Sequence, residues 1–344
     1  MGAVDAAAGA ELDAIDLAIV DRLQDGLPLV SRPFSAVAAA LGLTEAQTVE
    51  RLGRLLEVGA LSRFGPMYNA ERMGGAFTLA ALSVPPERFD EVAARVNALP
   101  EVAHNYRREH HYNMWFVVAT ERAEQVPHVL AEIERLTGIA PLDLPKLDEY
   151  FLRLRLPIGD TAAELSRTTD ALMGGAGEAP NRPSRASELD ATDRRLVLAT
   201  QAGLPIAPDP FAQLASRVEL SEQEVVDRFA RMLRTGVVRR IAAVPNHYTL
   251  GFRANGMSVW AVDDDAIAAL GPAVGALPCV SHCYRRPRRL PDWPYNLFAM
   301  VHGRSRDDVM GGVWRVAAVL GGACRKHEVL FSTQVLKKTG MRIG

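Results

Sequence analysis

The stretch HNYRREHHYNMWF, residues 104–116, places three histidines, two arginines, two tyrosines and a tryptophan within thirteen positions. Such a density of polar side chains is unfavourable inside a sheet, because polar groups buried without partners cost free energy. It suits a surface that holds a large, flat, polyanionic molecule. A second stretch, HCYRRPRRLPDWPYNLF at residues 282–298, begins with the same His-x-Tyr-Arg-Arg and ends with the same Tyr-Asn, followed by an apolar and an aromatic residue. Five additional residues separate the two motifs in this second copy.

The repetition extends beyond these motifs, since further identities recur at an offset of 177 residues. They are Leu12-Asp13-Ala14 with Leu189-Asp190-Ala191, Gly26-Leu27-Pro28 with Gly203-Leu204-Pro205, Pro33-Phe34 with Pro210-Phe211, Gly59 with Gly236, Arg63 with Arg240 and Gly74 with Gly251. One residue is inserted before Leu99-Pro100 and His104 match Leu277-Pro278 and His282. The pattern predicts a duplicated or fused protein, and a repeat of about 150 residues is too long for a solenoid unit.

Composition limits the class of protein. A chain of 344 residues with 48% hydrophobic and 23% charged residues is long enough for several globular domains. We expect neither a signal peptide nor a membrane span, because the N-terminus lacks a basic region and no apolar run is long enough. Three cysteines in the second half form no paired framework and favour a reducing cytoplasm. The net charge of −2 argues against a protein that coats nucleic acid.

Each half begins with a pattern typical of a helix-turn-helix domain. Leu12, Ile15, Ile19 and Leu23 have helical spacing, Phe34 to Leu41 forms a short second helix, and Thr44 with Gln47 is a capping box that opens a third helix ending at Gly59. Residues 60–64 then read as a strand or wing. The second half repeats these helices at about 189–201, 211–217 and 221–235, the last capped by Ser221 with Glu224 and ended by Gly236.

The rest of each half reads strand, helix, strand, strand, helix, strand, the order of a ferredoxin-like βαββαβ domain. The predicted elements are 76–84, 86–98, 102–109, 112–120, 123–136 and 148–156, then 254–262, 264–276, 279–286, 295–302, 305–319 and 327–337. The fold class is therefore α+β, with two tandem copies of a winged helix-turn-helix plus a ferredoxin-like domain. Because the sheet face without helices needs a cover, we expect the two halves to pair face to face about a pseudo-two-fold axis.

These patterns predict five segments. They are a helix-turn-helix domain at 10–66, a ferredoxin-like domain at 67–157, a linker at 158–187, a second helix-turn-helix domain at 188–244 and a second ferredoxin-like domain at 245–344. The Gly, Ala, Ser, Thr and Pro content of the joint is typical of a linker.

This domain order resembles the Lrp/AsnC family of transcription regulators, and the resemblance implies DNA binding and ligand sensing. The third helices argue against DNA as a partner, because a recognition helix needs cations for phosphates and base edges. Its first turns instead carry Glu45 and Glu50 in one half, with Arg51 and Arg54 behind them, and Glu222, Glu224 and Asp227 in the other. We interpret the helix-turn-helix as a reused structural module.

Strand alternation predicts how the two rich stretches present their side chains. His104, Tyr106 and Arg108 should share one face, and Asn105 and Arg107 the other; His282, Tyr284 and Arg286 should match the first set, and Cys283 and Arg285 the second. A helix-facing core does not tolerate His, Tyr and Arg together, so this face should line a cleft between the halves. The alternative is a solvated hairpin with ordinary cross-strand pairs, which the second copy of the motif makes less attractive.

The paired motifs resemble those of the siroheme decarboxylases, Lrp-like enzymes of heme d1 and alternative heme biosynthesis. The resemblance spans nearly the whole chain except the N-terminus and linker, and the chain is similar to a natural fusion of the two subunit types. It implies removal of two acetate carboxylates from siroheme, giving 12,18-didecarboxysiroheme and two molecules of carbon dioxide. It also implies siroheme and its products as partners, with other enzymes of the pathway, no membrane, and a monomer or homodimer. No cofactor is expected, because the iron belongs to the substrate.

Protonating a ring carbon assists loss of carbon dioxide, and a histidine is a suitable acid near neutral pH. The candidate catalytic residues are His110, His111, His282, Arg107 and Arg285. The candidate substrate-binding residues are His104, Tyr106, Arg108, Tyr112, Asn113, Trp115, Tyr284, Arg286, Arg288, Arg289, Trp293, Tyr295, Asn296, Arg63 and Arg240, with His104 also a candidate axial ligand of the substrate iron. The His110-His111 doublet leaves open which histidine is the acid, and the second half has Arg288, Arg289 and Asp292 there instead.

Two further functions remain open at this point. A tetrapyrrole-sensing regulator of the Lrp/AsnC type would keep the binding face but use the helix-turn-helix domains for DNA. A tetrapyrrole carrier would bind without catalysis.

Overall fold

The computed structural model describes residues 12–152, 158 and 189–338. The predicted linker, apart from Ile158, lies outside the described residues. The chain divides into two compact units, each with one segment from either half. The first unit contains residues 12–73 and 189–251, and the second contains residues 74–152 and 252–338.

The helices and strands follow the predicted order in both halves. In the first half they are α1 (Ala14–Asp25), α2 (Pro33–Leu41), α3 (Glu45–Glu57), β1 (Leu61–Tyr68), β2 (Ala76–Leu82), α4 (Phe89–Ala98), β3 (Val102–Arg108), β4 (Met114–Thr120), α5 (Gln125–Thr137), β5 (Leu142–Pro145) and β6 (Asp148–Leu152). In the second half they are α6 (Ala191–Thr200), α7 (Pro210–Val218), α8 (Glu222–Arg234), β7 (Val238–Pro245), β8 (Ala254–Val262), α9 (Asp264–Gly275), β9 (Val280–Arg285), β10 (Leu297–Gly303), α10 (Arg306–Leu320) and β11 (Cys324–Lys338). Short β5 was not predicted.

The predicted helix-turn-helix domains are confirmed, with their capping residues. Thr44 and Gln47 form a reciprocal capping box at the start of α3, and the left-handed φ of +69° at Gly59 ends the turn that follows. In α8 the Ser221 hydroxyl accepts from the Glu224 backbone N–H. The Glu224 side chain bonds to Arg228 instead of returning to the cap, so only half of that predicted box forms.

The two helix-turn-helix domains join through their wings, since β1 and β7 pair as an antiparallel two-stranded sheet. Beside it, the backbone N–H of Leu204 donates to the carbonyl of Phe64 at 2.9 Å. Gly65 and Gly203 make this approach possible, because a Cβ on either would lie 2.9 Å from backbone of the other segment.

A buried carboxylate ties the first helix of each of these domains to its third helix. Asp16 on α1 pairs with Arg51 at 2.8 Å and with Arg54. The equivalent Asp193 on α6 pairs with Arg228 at 2.9 Å and Arg231 at 2.5 Å. Both carboxylates are almost completely removed from solvent, so the arginines of α3 and α8 neutralise charge inside their own domain.

The second unit contains a nine-stranded arrangement in the order β5-β2-β4-β3-β11-β8-β10-β9-β6. Long β11 serves both halves, because Cys324–Phe331 pairs with β8 and Ser332–Lys338 pairs with β3. Strand β6 of the first half pairs with β9 of the second. Each sheet therefore ends with a strand supplied by the other half, an exchange between the two βαββαβ domains that the sequence did not predict.

Face-to-face pairing of the two halves is confirmed. On the outer sides, α4 and α5 cover the first sheet with a core that includes Val92 and Ile133, and α9 and α10 cover the second. The inner faces bury a third apolar cluster from both halves, in which the ring centroids of Trp115 and Trp293 are 5.2 Å apart. None of the described helices is long and apolar enough to cross a bilayer.

Removing the buried carboxylate of α6 should weaken the first unit. In Asp193→Ala, two arginine side chains lose their shared partner, and the free energy of unfolding should fall by about 2–3 kcal/mol, because breaking a buried ion pair leaves uncompensated charge. Urea unfolding measures this. Asp227→Ala on the exposed side of α8 is the matched control and should change stability little; equal effects would contradict the role given to Asp193.

The exchanged strand β6 depends on a glycine of α9. A Cβ at Gly271 would lie 2.1 Å from the Tyr150 ring, so Gly271→Ala should lower the free energy of unfolding by about 1–3 kcal/mol through overpacking. Gly311→Ala on α10 is the control, because nothing lies within 4 Å of its Cβ position. There the better helix propensity of Ala should raise stability by up to about 1 kcal/mol. A stabilised Gly271→Ala protein in urea unfolding would refute this packing.

Candidate active site

The predicted alternation of the two rich strands is confirmed by their register. Tyr106 on β3 lies opposite Trp115 of the inner cluster, so His104 and Arg108 share the inner face. In the second half Tyr284 lies opposite Phe298, another member of that cluster. The same side of each sheet therefore carries His, Tyr and Arg toward the other half.

Two arginines predicted to be catalytic, Arg107 and Arg285, fall on the helix side because they alternate with these residues. The Arg107 guanidinium lies 4.3 Å from the centroid of the Phe89 ring, and Arg285 Nη1 lies 3.2 Å from the Asp148 carboxylate. Arg107 also borders a cavity of about 520 Å³ with Arg108 and His110. The structure does not bring Arg107 or Arg285 to the inner face, and we leave both out of the chemistry proposed below.

Several predicted substrate-binding residues make backbone contacts instead. The Asn113 amide both accepts from and donates to the backbone of Val84, and Asn296 does the same with Val262. These asparagines fasten each hairpin to its neighbouring strand.

The second-half arginines of the hairpin are similarly engaged. Arg288 donates to the carbonyls of Pro294 and Val262 and pairs with Asp264 at 2.5 Å, and Arg289 donates to the carbonyl of Asp143.

Arg63 and Arg240 belong to the other compact unit, on the paired wing strands. Arg63 Nη1 donates to the Gln201 carbonyl at 2.9 Å, and burial lowers its pKa. Arg240 Nε contacts the Met67 sulfur at 3.3 Å. Both arginines therefore contact residues of their own unit.

The first histidine centre of the inner face is His110. Its Nδ1 accepts the backbone N–H of Tyr112 at 3.0 Å, so Nε2 carries the proton and donates to Glu328, 3.0 Å away. Glu328 also accepts from the Tyr295 hydroxyl at 2.5 Å and pairs with Lys326 at 3.2 Å. Burial lowers the pKa of His110, and the Glu328 charge opposes that shift only in part.

Charge and burial also set the protonation states of Glu328 and Tyr295, the two residues that complete this centre. Burial works to raise the pKa of Glu328, but hydrogen bonds from Tyr295 and Lys326 outweigh it, and the net shift is downward. Burial, followed by the hydrogen bond to Glu328, raises the pKa of Tyr295 to about 12. Glu328 is therefore the anion of this centre.

Aromatic rings surround His110. The Trp293 ring meets it edge-on at 5.7 Å, and the Tyr112 ring is 6.1 Å away. Trp115 is buried behind Trp293. His111 is exposed, with its ring 4.1 Å from that of Tyr112.

A second histidine centre lies on the inner face of the second half. Ser281 Oγ is 2.7 Å from both His282 Nδ1 and His302 Nε2. His302 Nδ1 lies 2.5 Å from the amide oxygen of Asn255. The pKa of His302 is lowered to about 4, first by burial and then by the charges of Arg108 and Lys338.

Basic residues complete the inner face. Arg108 lies against the Tyr106 ring and donates to the Leu330 carbonyl at 2.7 Å. Arg286 lies against the Tyr284 ring and donates to the Leu144 carbonyl at 2.5 Å. Burial and Lys338 lower the pKa of His104 to about 4, and its buried Nδ1 has no hydrogen-bond partner within residues 12–152, 158 and 189–338.

Comparison with known proteins shows the family to which the chain belongs. The family model for the siroheme decarboxylase NirDL-like HTH domain matches residues 16–61 and 193–239, and that for the AsnC-like ligand binding domain matches 72–150 and 249–337. The siroheme decarboxylase NirDL subunit of Paracoccus pantotrophus is 36% identical over 336 residues, which cover 97% of this chain and 98% of that protein. The chain belongs to the siroheme decarboxylase family.

Two further relatives fit this membership. The siroheme decarboxylase NirH subunit of Pseudomonas aeruginosa is 55% identical over 151 residues, 88% of that subunit but 44% of this chain. A crystal structure of the siroheme decarboxylase NirDL in complex with an iron-uroporphyrin III analogue superposes with a TM-score of 0.68 at 28% identity, covering 94% of this chain and 92% of that one. The match to NirDL proteins thus spans nearly the whole chain, whereas the match to the NirH subunit spans less than half of it.

Sequence reasoning missed four residues of the two histidine centres: Ser281, Asn255, His302 and Glu328. Two of them, Asn255 and His302, could have been found by the same alternation, because Asn255 lies opposite His302 and two positions before Met257 of the inner cluster. Ser281 is the neighbour of His282 and lies at a register irregularity of β9 that alternation does not predict. Glu328 had no comparable signal. Within the described part of the chain no three His, Cys, Asp or Glu side chains converge as a metal site does.

Acid should destabilise the protein in a defined window. His104 and His302 are protonated near pH 4 in the folded protein and near 6.5 in the unfolded chain. Between these values the unfolded chain binds more protons, so the free energy of unfolding falls as the pH falls, by about 2 kcal/mol per histidine at about pH 5. Urea unfolding at about pH 7.5 and pH 5 measures the difference.

Two histidine variants test whether His104 causes part of this pH dependence. His104→Gln should remove about half of this pH dependence, whereas His128→Gln on the exposed side of α5 should leave it intact. An unchanged pH dependence in His104→Gln would contradict the burial argument.

Proposed function

We propose that this chain is a siroheme decarboxylase that removes two acetate carboxylates from siroheme. The observation that carries the proposal is the near-full-length match to siroheme decarboxylase NirDL subunits. The inner faces supply what the reaction needs, namely histidines, arginines and aromatic rings from both halves of the chain. The product is 12,18-didecarboxysiroheme, formed for heme d1 or alternative heme biosynthesis.

Each decarboxylation replaces one carboxylate with one proton, and no other reactant is needed. For each acetate the bond between methylene and carboxylate carbon breaks, carbon dioxide leaves, and the carbon that remains takes up one proton to become a methyl group. The electron pair of the broken bond first enters the pyrrole ring, so protonation of the ring system lowers the barrier. No electron leaves the substrate, and we therefore propose that the chain needs no cofactor.

Arg108 and Arg286 are the proposed carboxylate ligands. Each guanidinium presents five N–H donors, so it can keep its carbonyl contact and still bind a carboxylate by two hydrogen bonds. Each is oriented by a tyrosine ring, Tyr106 or Tyr284. The flat macrocycle can stack on the aromatic residues beside them.

His282 is the proposed proton donor, with His110 as a second candidate. His282 can carry a proton on Nε2 while Nδ1 keeps its contact with Ser281. Full protonation of His110 would break the hydrogen bond from the Tyr112 N–H, although Glu328 would stabilise the cation. His111 is exposed and remains the alternative within the doublet. The partly buried, neutral His104 is the candidate axial ligand of the substrate iron, because neutral imidazole is the ligating form.

The helix-turn-helix domains support an enzyme over a tetrapyrrole-sensing regulator. Arg51 and Arg54 of α3, like Arg228 and Arg231 of α8, are held by aspartates of their own domains. Cations engaged in this way are poorly placed to bind phosphates. We propose that DNA is not a partner.

The remaining partners follow from the activity. We propose that the chain works in the cytoplasm, where its three thiols would stay reduced, receives siroheme and passes its product to other enzymes of the pathway. It would act as a monomeric fusion or as a homodimer, which light scattering distinguishes.

Anaerobic incubation of the purified protein with siroheme, followed by mass spectrometry, tests the function. Loss of two carbon dioxide molecules is expected, and binding without any mass change would favour a carrier or regulator. His282→Ala should reduce turnover by about a hundredfold or more with little change in siroheme binding, whereas Arg108→Ala and Arg286→Ala should weaken binding.

The doublet can be tested in the same assay. His110→Ala/His111→Ala should halt at least one of the two decarboxylations, and unchanged yield would reject its assignment. The exposed His128→Ala serves as the unaffected control.

A further inference from the structure

We propose that Ser281, His302 and Asn255 are positioning residues that keep the Nδ1 proton of His282 turned into the protein, so that Nε2 exchanges protons with the substrate. The proposal rests on the proposed function and names residues that act behind its acid. It starts from an unbroken series of short contacts, His282 to Ser281 to His302 at 2.7 Å each, then His302 to Asn255 at 2.5 Å.

The direction of these hydrogen bonds follows from the last member of the series. The amide oxygen of Asn255 only accepts, so His302 Nδ1 carries a proton. A neutral His302 must then accept at Nε2, and the Ser281 hydroxyl donates to it. The Ser281 oxygen is left to accept, and its partner is the Nδ1–H of His282. A longer contact from Ser281 to the Met300 carbonyl, at 3.5 Å, competes only weakly.

His302 must stay neutral for this order to hold, and its surroundings ensure that. It is partly buried, and the described groups that face it include Arg108 from β3, Lys338 from β11, Ser281 from β9 and Asn255 from β8. Arg108 and Lys338 are cations. A protonated His302 would therefore be disfavoured by desolvation and by like charge.

The duplication shows that the fold does not require these residues. By strand register His104 is the counterpart of His282, and Phe77 and Ala119 form the pair equivalent to Asn255 and His302. Ala103 stands where Ser281 stands. The first half builds the same strands with three apolar residues, so the hydroxyl, imidazole and amide of the second half serve something other than folding.

Ser281, His302 and Asn255, which we call the relay, allow the His282 ring to change charge while its hydrogen bond to Ser281 stays in place. Nδ1 bears a proton in both the neutral and the cationic ring, so the contact with Ser281 persists. The imidazolium gives its Nε2 proton to the substrate as carbon dioxide leaves, and neutral His282 regains one from solvent. His110 lacks this property, because its Nδ1 accepts a backbone N–H.

Ser281→Ala tests the proposal in the siroheme assay. We expect kcat to fall about a hundredfold while the Kd for siroheme, from spectral titration, stays within about twofold. Ser281→Thr retains the hydroxyl and should restore most of the rate, since a β-branched residue suits a strand. Ser258→Ala is the matched control, because Ser258 is also buried and hydrogen-bonded but belongs to the helix side; it should keep the wild-type rate.

The tautomer of His282 can also be measured directly on the wild-type protein. Long-range ¹⁵N–¹H correlation spectra distinguish the histidine tautomers, and His282, assigned by the signal lost in His282→Asn, should bear its proton on Nδ1 at high pH. A proton on Nε2 of neutral His282 would overturn the proposal, as would equal rates for Ser281→Ala and Ser258→Ala. If wild-type protein leaves siroheme unchanged yet shows the Nδ1 tautomer, the proposed function fails while the relay stands.

Discussion

The packing of one sheet against the other is the constraint on which the second unit depends. Each sheet has helices on its outer side only, and the inner faces cover each other around Trp115 and Trp293. Strands β6 and β11 cross between the halves and fasten this arrangement. The polar side chains of the inner face therefore lie beside the apolar cluster that the two sheets share. Burial is the first cause of the low pKa values of His104 and His302 for this reason.

Comparing the two halves of the chain separates side-chain contacts that repeat from contacts that do not. Asn113 and Asn296 repeat because each fastens a hairpin to the neighbouring strand, and the ion pairs of Asp16 and Asp193 repeat because they join helices. The histidine centres do not repeat. Glu328 has an apolar counterpart, Leu142, at the equivalent position of the first sheet. Residues that match between the halves thus include architectural contacts as well as the proposed carboxylate ligands Arg108 and Arg286, whereas the hydrogen-bond partners of the proposed acids differ.

Much of the fold could be predicted from the sequence, because helical and strand periodicities are local. The two compact domain types, their capping residues and the inward face of His104 and His282 all follow from spacing. Strand exchange could not be predicted, because the alternation of side chains along β6 does not specify which sheet the strand joins. Glu328 escaped notice because it lies more than 200 residues from His110 in the sequence. The helix-side positions of Arg107 and Arg285 were predictable, and the alternation rule should have excluded them as inner-face residues.

Carboxylate binding and proton donation, as proposed here, place opposed demands on the inner face. Arginines that attract carboxylates also lower the pKa of a neighbouring histidine, as Arg108 and Lys338 do at His302. An acid in direct contact with such cations would lose its proton before the substrate arrived. His302 lies next to the cations and stays neutral, while Ser281 separates it from His282. In the mechanism that we propose, a neutral relay between the cations and the acid lets one surface hold a polyanion and still deliver protons to it.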